Sequence, residues 1–392
     1  MSNPTIAPNV LLSPVDEGYV AYDPAGDILH QLNPMAALIA ELCDGSRTTG
    51  DIRALVAPLL PDADGGLVEQ WIADALKAGL LVSAGSHAAA AREFTAAELY
   101  ELVRRLKDNG NMQTAYLCAR KVVELDPSDA HAWYMLGDLC QYVGKRDEAS
   151  SAFQKYFASH PEDAEIEHLL VALKDETPPE RVSDRTIQHI YKGFSRTFDG
   201  RLVDDLKYQG PEKLAEVITA AIGPKSGLAV LELGCGSGLA GLKLRPFAAS
   251  LAGLDLSPEM LELARKRGVY DRLEQAEITA WLEAGTGKFD LIASCDCLIY
   301  FGDLRRITAA AARCLRPGGV FVITLERGNR FPFHLSDTGR YEHHPDHVRD
   351  AATASGLTVL RLDEAFLRYE YTAEVIGLFA VLQRPADGAL PG

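Results

Sequence analysis

The chain has 392 residues, 47% of them hydrophobic and 24% charged, with a formal net charge of −16. That length suits about two or three domains, each able to bury a core, and the acidic balance excludes a general affinity for nucleic acid or anionic membrane surfaces. No apolar run approaches the roughly 18 residues of a membrane span, and residues 1–10 have neither a basic start nor an apolar centre, so a cytoplasmic protein is expected.

Residues 1–90 open with short apolar runs at 10–12, 18–23 and 27–32. Asp23-Pro24-Ala25-Gly26 joins the second and third as a hairpin. Asn33-Pro34 then starts a helix, with Asn as N-cap and Pro in the first turn, that ends at Asp44-Gly45. Thr48 or Thr49 caps a second helix over 51–59, and 66–78 forms a third with Val68, Trp71, Ile72, Ala75 and Leu76 on one face. Three strands and three helices in this order predict a winged-helix-like α+β domain. Residues 83–91 read as a linker. From there the pattern is helical through residue 176, and aligning Pro127 with Pro161 gives a period of 34 residues, the tetratricopeptide length. Trp133, Leu136, Gly137, Ala149, Phe153 and Pro161 form the better copy; Leu99, Leu102, Leu106, Ala115, Ala119 and Pro127 form the weaker one. An all-α hairpin pair over 93–176 is expected, acting as a packing spacer or as a peptide-binding surface.

The third domain, 180–392, begins with an amphipathic helix carrying Tyr191, Phe194 and Phe198, over 187–208. Helices and strands then alternate as a doubly wound parallel sheet requires. The strand at 227–233 runs into Gly234-Cys235-Gly236-Ser237-Gly238, a turn whose glycines permit unusual φ/ψ and close approach of a ligand. A strand at 250–256 places Asp255 about 20 residues beyond that turn, where an acid that takes ribose hydroxyls is expected. Leu256 follows it, and Ser257-Pro258 caps the next helix. Glu232 before the first glycine suits a cationic ligand amine, and the Gly234-x-Gly236-x-Gly238 spacing departs from the dinucleotide fingerprint. The seven cysteines (Cys43, Cys118, Cys140, Cys235, Cys295, Cys297 and Cys314) are scattered, odd in number and mostly in apolar patterns, as reduced core thiols are. Cys295-Asp296-Cys297 is expected on a strand with both thiols on one face.

Two resemblances follow from these residues. Leu231 to Gly238, Gly253 to Arg265, Ala276-Glu277-Ile278, Phe289 to Tyr300 and Leu315 to Phe321 resemble the class I S-adenosylmethionine-dependent methyltransferases. Tyr191, Phe194, Phe198-Asp199, Tyr208 to Pro211, Arg340-Tyr341-Glu342-His343 and Val375 to Leu378 are similar to the tetratricopeptide-linked subgroup. That resemblance implies a Rossmann-like seven-stranded methyltransferase domain using S-adenosylmethionine. Its cofactor contacts would come from Tyr191, Glu232, Gly234, Cys235, Gly236, Gly238, Asp255, Leu256, Glu277, Ile278 and Asp296, with Glu277 at the adenine amine although Asp is commoner there.

Acceptor-side candidates are Asp296, Tyr300, Tyr341 and His343, with His343 first for acid-base or positioning work because its ordinary pKa lies near neutrality; a surface histidine is the other reading. No metal is expected from His343, His344 and His347, which lack a carboxylate at a ligand spacing. In the first domain, Gly18 to Asp23, Leu32 to Ile39, Leu42 to Thr48 and Ala78 to Leu81 resemble the PqqD family of leader-peptide recognition domains. That implies a precursor peptide paired along residues 27–32, between Asp27 and Leu32, and lying against the third helix. The alternatives are a structural or dimerising front domain on a small-molecule O- or N-methyltransferase, with a homodimer as its assembly, and a non-enzymatic adaptor. The acceptor atom, whether carboxylate, amine, amide or hydroxyl, stays open at this level.

Overall fold

In a computed structural model, residues 3–15, 18–24, 26–57, 66–83, 95–174, 176–194, 206–285, 288–371 and 373–386 are described. The chain forms two compact units, Met1–Tyr156 and Phe157–Gly392. Phe198 and Asp199 lie outside the described residues, as does the side chain of Phe194.

In the first unit, β2 (Leu11–Val15), β3 (Gly18–Asp23) and β4 (Ile28–Leu32) form an antiparallel sheet in the order β2-β3-β4. The helix α1 (Pro34–Leu42) starts as the sequence predicts, with the Asn33 side chain accepting from Ala36 N at 2.8 Å. Thr48 caps α2 (Thr49–Val56) in a reciprocal box with Asp51. The helix α3 (Gly66–Lys77) turns Val68, Ile72 and Ala75 inward. Ile39, Ile52, Val56, Val68, Ile72 and Ala21 share one core. The pairing of β1 (Pro4–Ile6) with β5 (Leu81–Ser83) was not foreseen. It ties the start of the chain to the end of the segment, and three-residue strands carry little periodicity to betray them.

The helices α4 (Ala96–Asp108), α5 (Met112–Leu125), α6 (Ala130–Tyr142) and α7 (Arg146–Phe157) follow as packed hairpins, and α5 lies against β2. Gly137 of α6 faces Phe153 of α7 so closely that a Cβ there would stand 2.6 Å from the ring. The small residue is what lets the ring seat.

The second unit carries α8 (Ala164–Leu173), α9 (Asp184–Phe194) and α10 (Gly210–Ile222) before its sheet. The strands β6 (Leu228–Leu233), β7 (Ala248–Asp255), β8 (Arg272–Gln275), β9 (Phe289–Ser294), β10 (Leu315–Arg327), β13 (Thr358–Glu370) and β14 (Ala373–Gln383) run in the order β8-β7-β6-β9-β10-β14-β13. The pairs among β8, β7, β6, β9 and β10 are parallel, and β14 is antiparallel to both neighbours. A short pair, β11 (Phe333–Leu335) and β12 (Tyr341–His343), continues from the end of β10.

Alternate residues go to opposite faces, as a pleated strand requires. Leu231, Leu233, Ile292, Phe321 and Ile323 join one core, and Val230, Leu291, Ala293, Val320 and Val322 the other. Covering both faces explains why these strands read as unbroken apolar runs. From β6 the chain runs outward through β7 and β8 on one side and then returns to β9 on the other side of β6. That reversal opens a crevice at the carboxyl ends of β6 and β9, where ligands bind in open α/β sheets.

Among the described residues no helix is long and apolar enough to cross a membrane.

Candidate active site

The glycine turn leaves β6 with Gly234 at φ 66°, Gly236 at φ 51° and Gly238 at φ 89°, the last capping α11 (Leu239–Leu244). The three positions differ in what excludes a side chain. A Cβ at Gly234 would stand 2.3 Å from Cys297 Sγ, whereas one at Gly236 would meet nothing within 4 Å and project into open space. Gly234 is therefore required by packing, and Gly236 leaves room for a ligand at the backbone.

That space is a cleft of about 1140 Å³, its mouth included. Its lining includes Tyr191, Glu232, Gly234, Cys235, Gly236, Asp255, Leu256, Glu277, Ile278, Asp296 and Tyr300. Gly238 shapes the turn without lining the cleft.

Glu232 is buried and accepts from Tyr270 Oη at 2.7 Å. Burial, with Asp255 nearby adding to it, pushes its carboxyl up to about 8 despite that hydrogen bond. Tyr270 reaches it by lying over Gly241 and Gly253, where a Cβ would stand 2.2 and 3.0 Å from the Tyr270 side chain. Asp255, at the end of β7, accepts from Gly236 N at 2.7 Å and Ser257 N at 2.8 Å. Its pKa is raised by burial, with the backbone donors opposing. Glu277 caps α12 (Ile278–Glu283), accepting from Thr279 N at 3.0 Å and Ala280 N at 2.7 Å. A carboxylate has about four acceptor sites, so Asp255 and Glu277 each retain capacity for ligand donors. Three acids at these places, with an open cradle at Gly236, fit a nucleoside bearing hydroxyls and amines.

Cys295-Asp296-Cys297, which also lines the cleft, lies beyond β9, which stops at Ser294, so the expected strand with paired thiols is not formed. The chain bends because Asp296 takes φ 54°, held by Asp296 N donating to Thr324 Oγ1 at 2.6 Å. Both oxygens of Asp296 accept from Arg368 Nη1, at 2.9 and 3.2 Å. Arg368 is 1% exposed and also donates to Glu326 and, at 3.1 Å, to Glu370. Arg340 donates to Glu370 as well. Two guanidinium groups and three carboxylates thus form one buried network, and Arg340, Arg368 and Asp296 are its cleft-facing members.

The sequence offered little to find it by. Arg368 and Glu370 stand two apart in a strand, hence on one face, and their partners lie on β10, on the Asp296 bend and at Arg340, just before β12. Tyr191 and Tyr300 hydroxyls meet at 3.0 Å with rings edge to face.

His343 and Tyr341 do not reach the cleft. Both are fully buried on β12. His343 Nε2 bonds Gly302 O at 3.2 Å, and its ring stacks on His347 at 5.9 Å. Burial pushes its pKa down to about 3, and its Nδ1 has no partner among the described residues. Tyr341 donates to Pro179 O. The histidine expected to handle protons at the acceptor is a packing residue, because the short β12 strand turns Arg340 toward the cleft and the two aromatics into the core. His347 Nε2 accepts from Leu304 N at 3.2 Å.

Residues 231–323 match the family model described as a methyltransferase domain. Residues 18–81 match the model for coenzyme PQQ synthesis protein D. The ubiquinone biosynthesis O-methyltransferase of Xylella fastidiosa (strain 9a5c) is 32% identical over 166 residues, 38% of this chain and 67% of that protein. A protein of the same description from Thiobacillus denitrificans is 34% identical over 122 residues, 30% of this chain and 52% of its own length. The chain thus spans from about half to two thirds of these relatives. A solved N-methyltransferase from Bradyrhizobium japonicum, in complex with S-adenosyl-L-homocysteine, aligns with 50% of this chain and 98% of its own at 20% identity and TM-score 0.41. With the Xylella relative 32% identical and matched over 67% of its length, the chain belongs to the S-adenosylmethionine-dependent methyltransferases and is an enzyme that uses S-adenosylmethionine.

Proposed function

We propose that this enzyme methylates a ribosomally made precursor peptide whose leader is held by its first unit. The observation that supports the recognition half is the open edge of β4. Among the described residues it pairs with β3 alone, and Ile28 and Leu29 are 48% and 51% exposed on it. Leu67 and Leu76 of α3 are exposed as well. An unpaired strand edge with apolar side chains is what an extended peptide needs for main-chain pairing and side-chain selection. Tethering the leader raises the concentration of the remaining peptide at the second unit without new contacts there.

In this reading S-adenosylmethionine supplies an electrophilic methyl carbon on a sulfonium when bound. Glu232 takes the ligand ammonium, Asp255 the ribose hydroxyls, and Glu277 with Ile278 the adenine. Tyr191 and Tyr300 cover the reacting end, and the apolar walls at Ile187 and Ile299 exclude water. The protein's contribution to an in-line displacement is mainly proximity and orientation.

The test uses the full chain with S-adenosylmethionine and the peptides encoded beside its gene, read by mass spectrometry. A methyl-sized gain is expected, and Leu29→Asp should remove most of it while leaving S-adenosylmethionine binding unchanged. Full methylation by Leu29→Asp would remove the recognition role of β4. The competing reading, a small-molecule O-methyltransferase with a structural front unit, draws its support from relatives named for ubiquinone biosynthesis. It predicts that the same substitution has no effect on any substrate.

A further inference from the structure

We propose that the atom methylated is a carboxylate oxygen, anchored at the acceptor end of the cleft by Arg340 and Tyr300, so that the product is a methyl ester. The inference rests on the methyl-transfer reading but not on peptide delivery.

The cleft lining carries charges of both signs: Glu232, Asp255, Glu277 and Asp296, with Arg181, Arg340 and Arg368. Both terminal nitrogens of Arg368 are engaged by Asp296, Glu326 and Glu370. Arg181 is engaged by Asp184 at 2.6 Å and by Val182 O. Arg340 is different: it donates to Glu370 and to the Tyr300 hydroxyl, and its side chain is 24% exposed. A guanidinium has five donors in a fork that matches a carboxylate. Tyr300 accepts from Arg340 and shares a hydrogen bond with Tyr191 at 3.0 Å in which either hydroxyl can donate, so with Tyr191 as donor the Tyr300 proton turns to a bound anion. An anion seated there would meet one cation and one hydroxyl.

The second line concerns proton removal. An amine, phenol, amide or alcohol acceptor must lose a proton, and a carboxylate has none to lose. Among the described residues lining the acceptor end, Asp296 has both oxygens on Arg368. Burial drives the Tyr191 and Tyr208 hydroxyls and the Cys295 and Cys297 thiols well upward, away from use as bases. His343 and His347 are outside the cleft. In the step that remains, a carboxylate lone pair forms the O–C bond while the C–S bond breaks and its electron pair passes to sulfur. Anion and sulfonium become neutral ester and thioether, and no proton moves.

The test is calorimetry on the full chain saturated with S-adenosylhomocysteine, titrated with benzoate and hexanoate against benzamide and hexanamide. The carboxylates should bind at least tenfold more tightly than their amides. Arg340→Gln should abolish that preference while changing S-adenosylhomocysteine affinity less than twofold, and Arg340→Lys should restore part of it. Because Arg340→Gln leaves Glu370 short of a cation, the double variant Arg340→Gln/Glu370→Gln, which keeps the charge balance, gives the same readout in a folded protein. Equal binding of acid and amide, no binding of either acid, or an equal loss of S-adenosylhomocysteine affinity would overturn the proposal, the last by assigning Arg340 to the donor's own carboxylate. A methylated peptide whose methyl resists mild alkali would also overturn it while leaving peptide recognition standing. Absence of any peptide product would leave the carboxylate titration intact.

Discussion

Glu232 and Asp255 place two buried carboxylates in one cleft, and their protonation should couple to cofactor binding. Glu232 is lifted to about 8 in the free protein, so at pH 6 it holds a proton that a ligand ammonium would have to displace. The dissociation constant for S-adenosylmethionine should therefore fall by up to about tenfold per unit from pH 6 to 8 and level off above. Calorimetry in two buffers should show proton release at pH 7. Glu232→Gln should bind weakly with a flat profile.

His343 acts in the opposite direction, on stability. Its folded pKa of about 3 lies below the ordinary 6.5, so the unfolded chain binds a proton that the folded chain refuses. The stability this gives is complete above pH 6.5 and is lost as pH falls through the window from 6.5 to 3, at up to about 1.4 kcal/mol per unit. Denaturant titrations at pH 7 and pH 5 should show on the order of 2 kcal/mol less dependence in His343→Gln, which keeps a donor toward Gly302 O. Unchanged pH dependence would show that His343 titrates as freely in the folded state as in the unfolded one.

At the scale of elements, the turn after β6 and the end of β13 divide the labour between holding a ligand and holding the fold. Gly236→Ala should weaken S-adenosylmethionine binding more than tenfold with little thermal destabilisation beyond the left-handed penalty of about 1–2 kcal/mol, because its Cβ enters open cleft. Gly234→Ala should instead cost about 1–3 kcal/mol more in stability through overpacking against Cys297. Thermal melts and cofactor titrations on the two variants separate these effects. Arg368→Leu would leave Asp296, Glu326 and Glu370 around an uncharged side chain. A loss of about 3–5 kcal/mol is expected from breaking such a buried ionic group, and a loss under about 1 kcal/mol would show the cluster to be solvated.

The chain as a whole divides into two compact units, so two unfolding transitions are expected by calorimetry. S-adenosylmethionine at about 100 times its dissociation constant should stabilise one transition by about 2.7 kcal/mol and leave the other in place. A single transition that shifts whole would mean the units unfold as one.

The helix starts, the strands of the parallel sheet and the glycine turn were legible in the sequence. Asn33, Thr48 and Ser257 marked helix starts by local hydrogen bonding, which depends on neighbours in the chain. Glu232, the glycines, Asp255 and Glu277 were readable because a strand followed by a tight turn sets their positions by itself. The Arg340–Arg368 network, the removal of Tyr341 and His343 to the core, and the bend at Asp296 were decided only by tertiary structure. Each depends on which strand lies beside β10 and on which face of a three-residue strand is covered. No local spacing encodes either, and burial, with His347 stacked beside it, turned a histidine expected to work near neutrality into a neutral packing group.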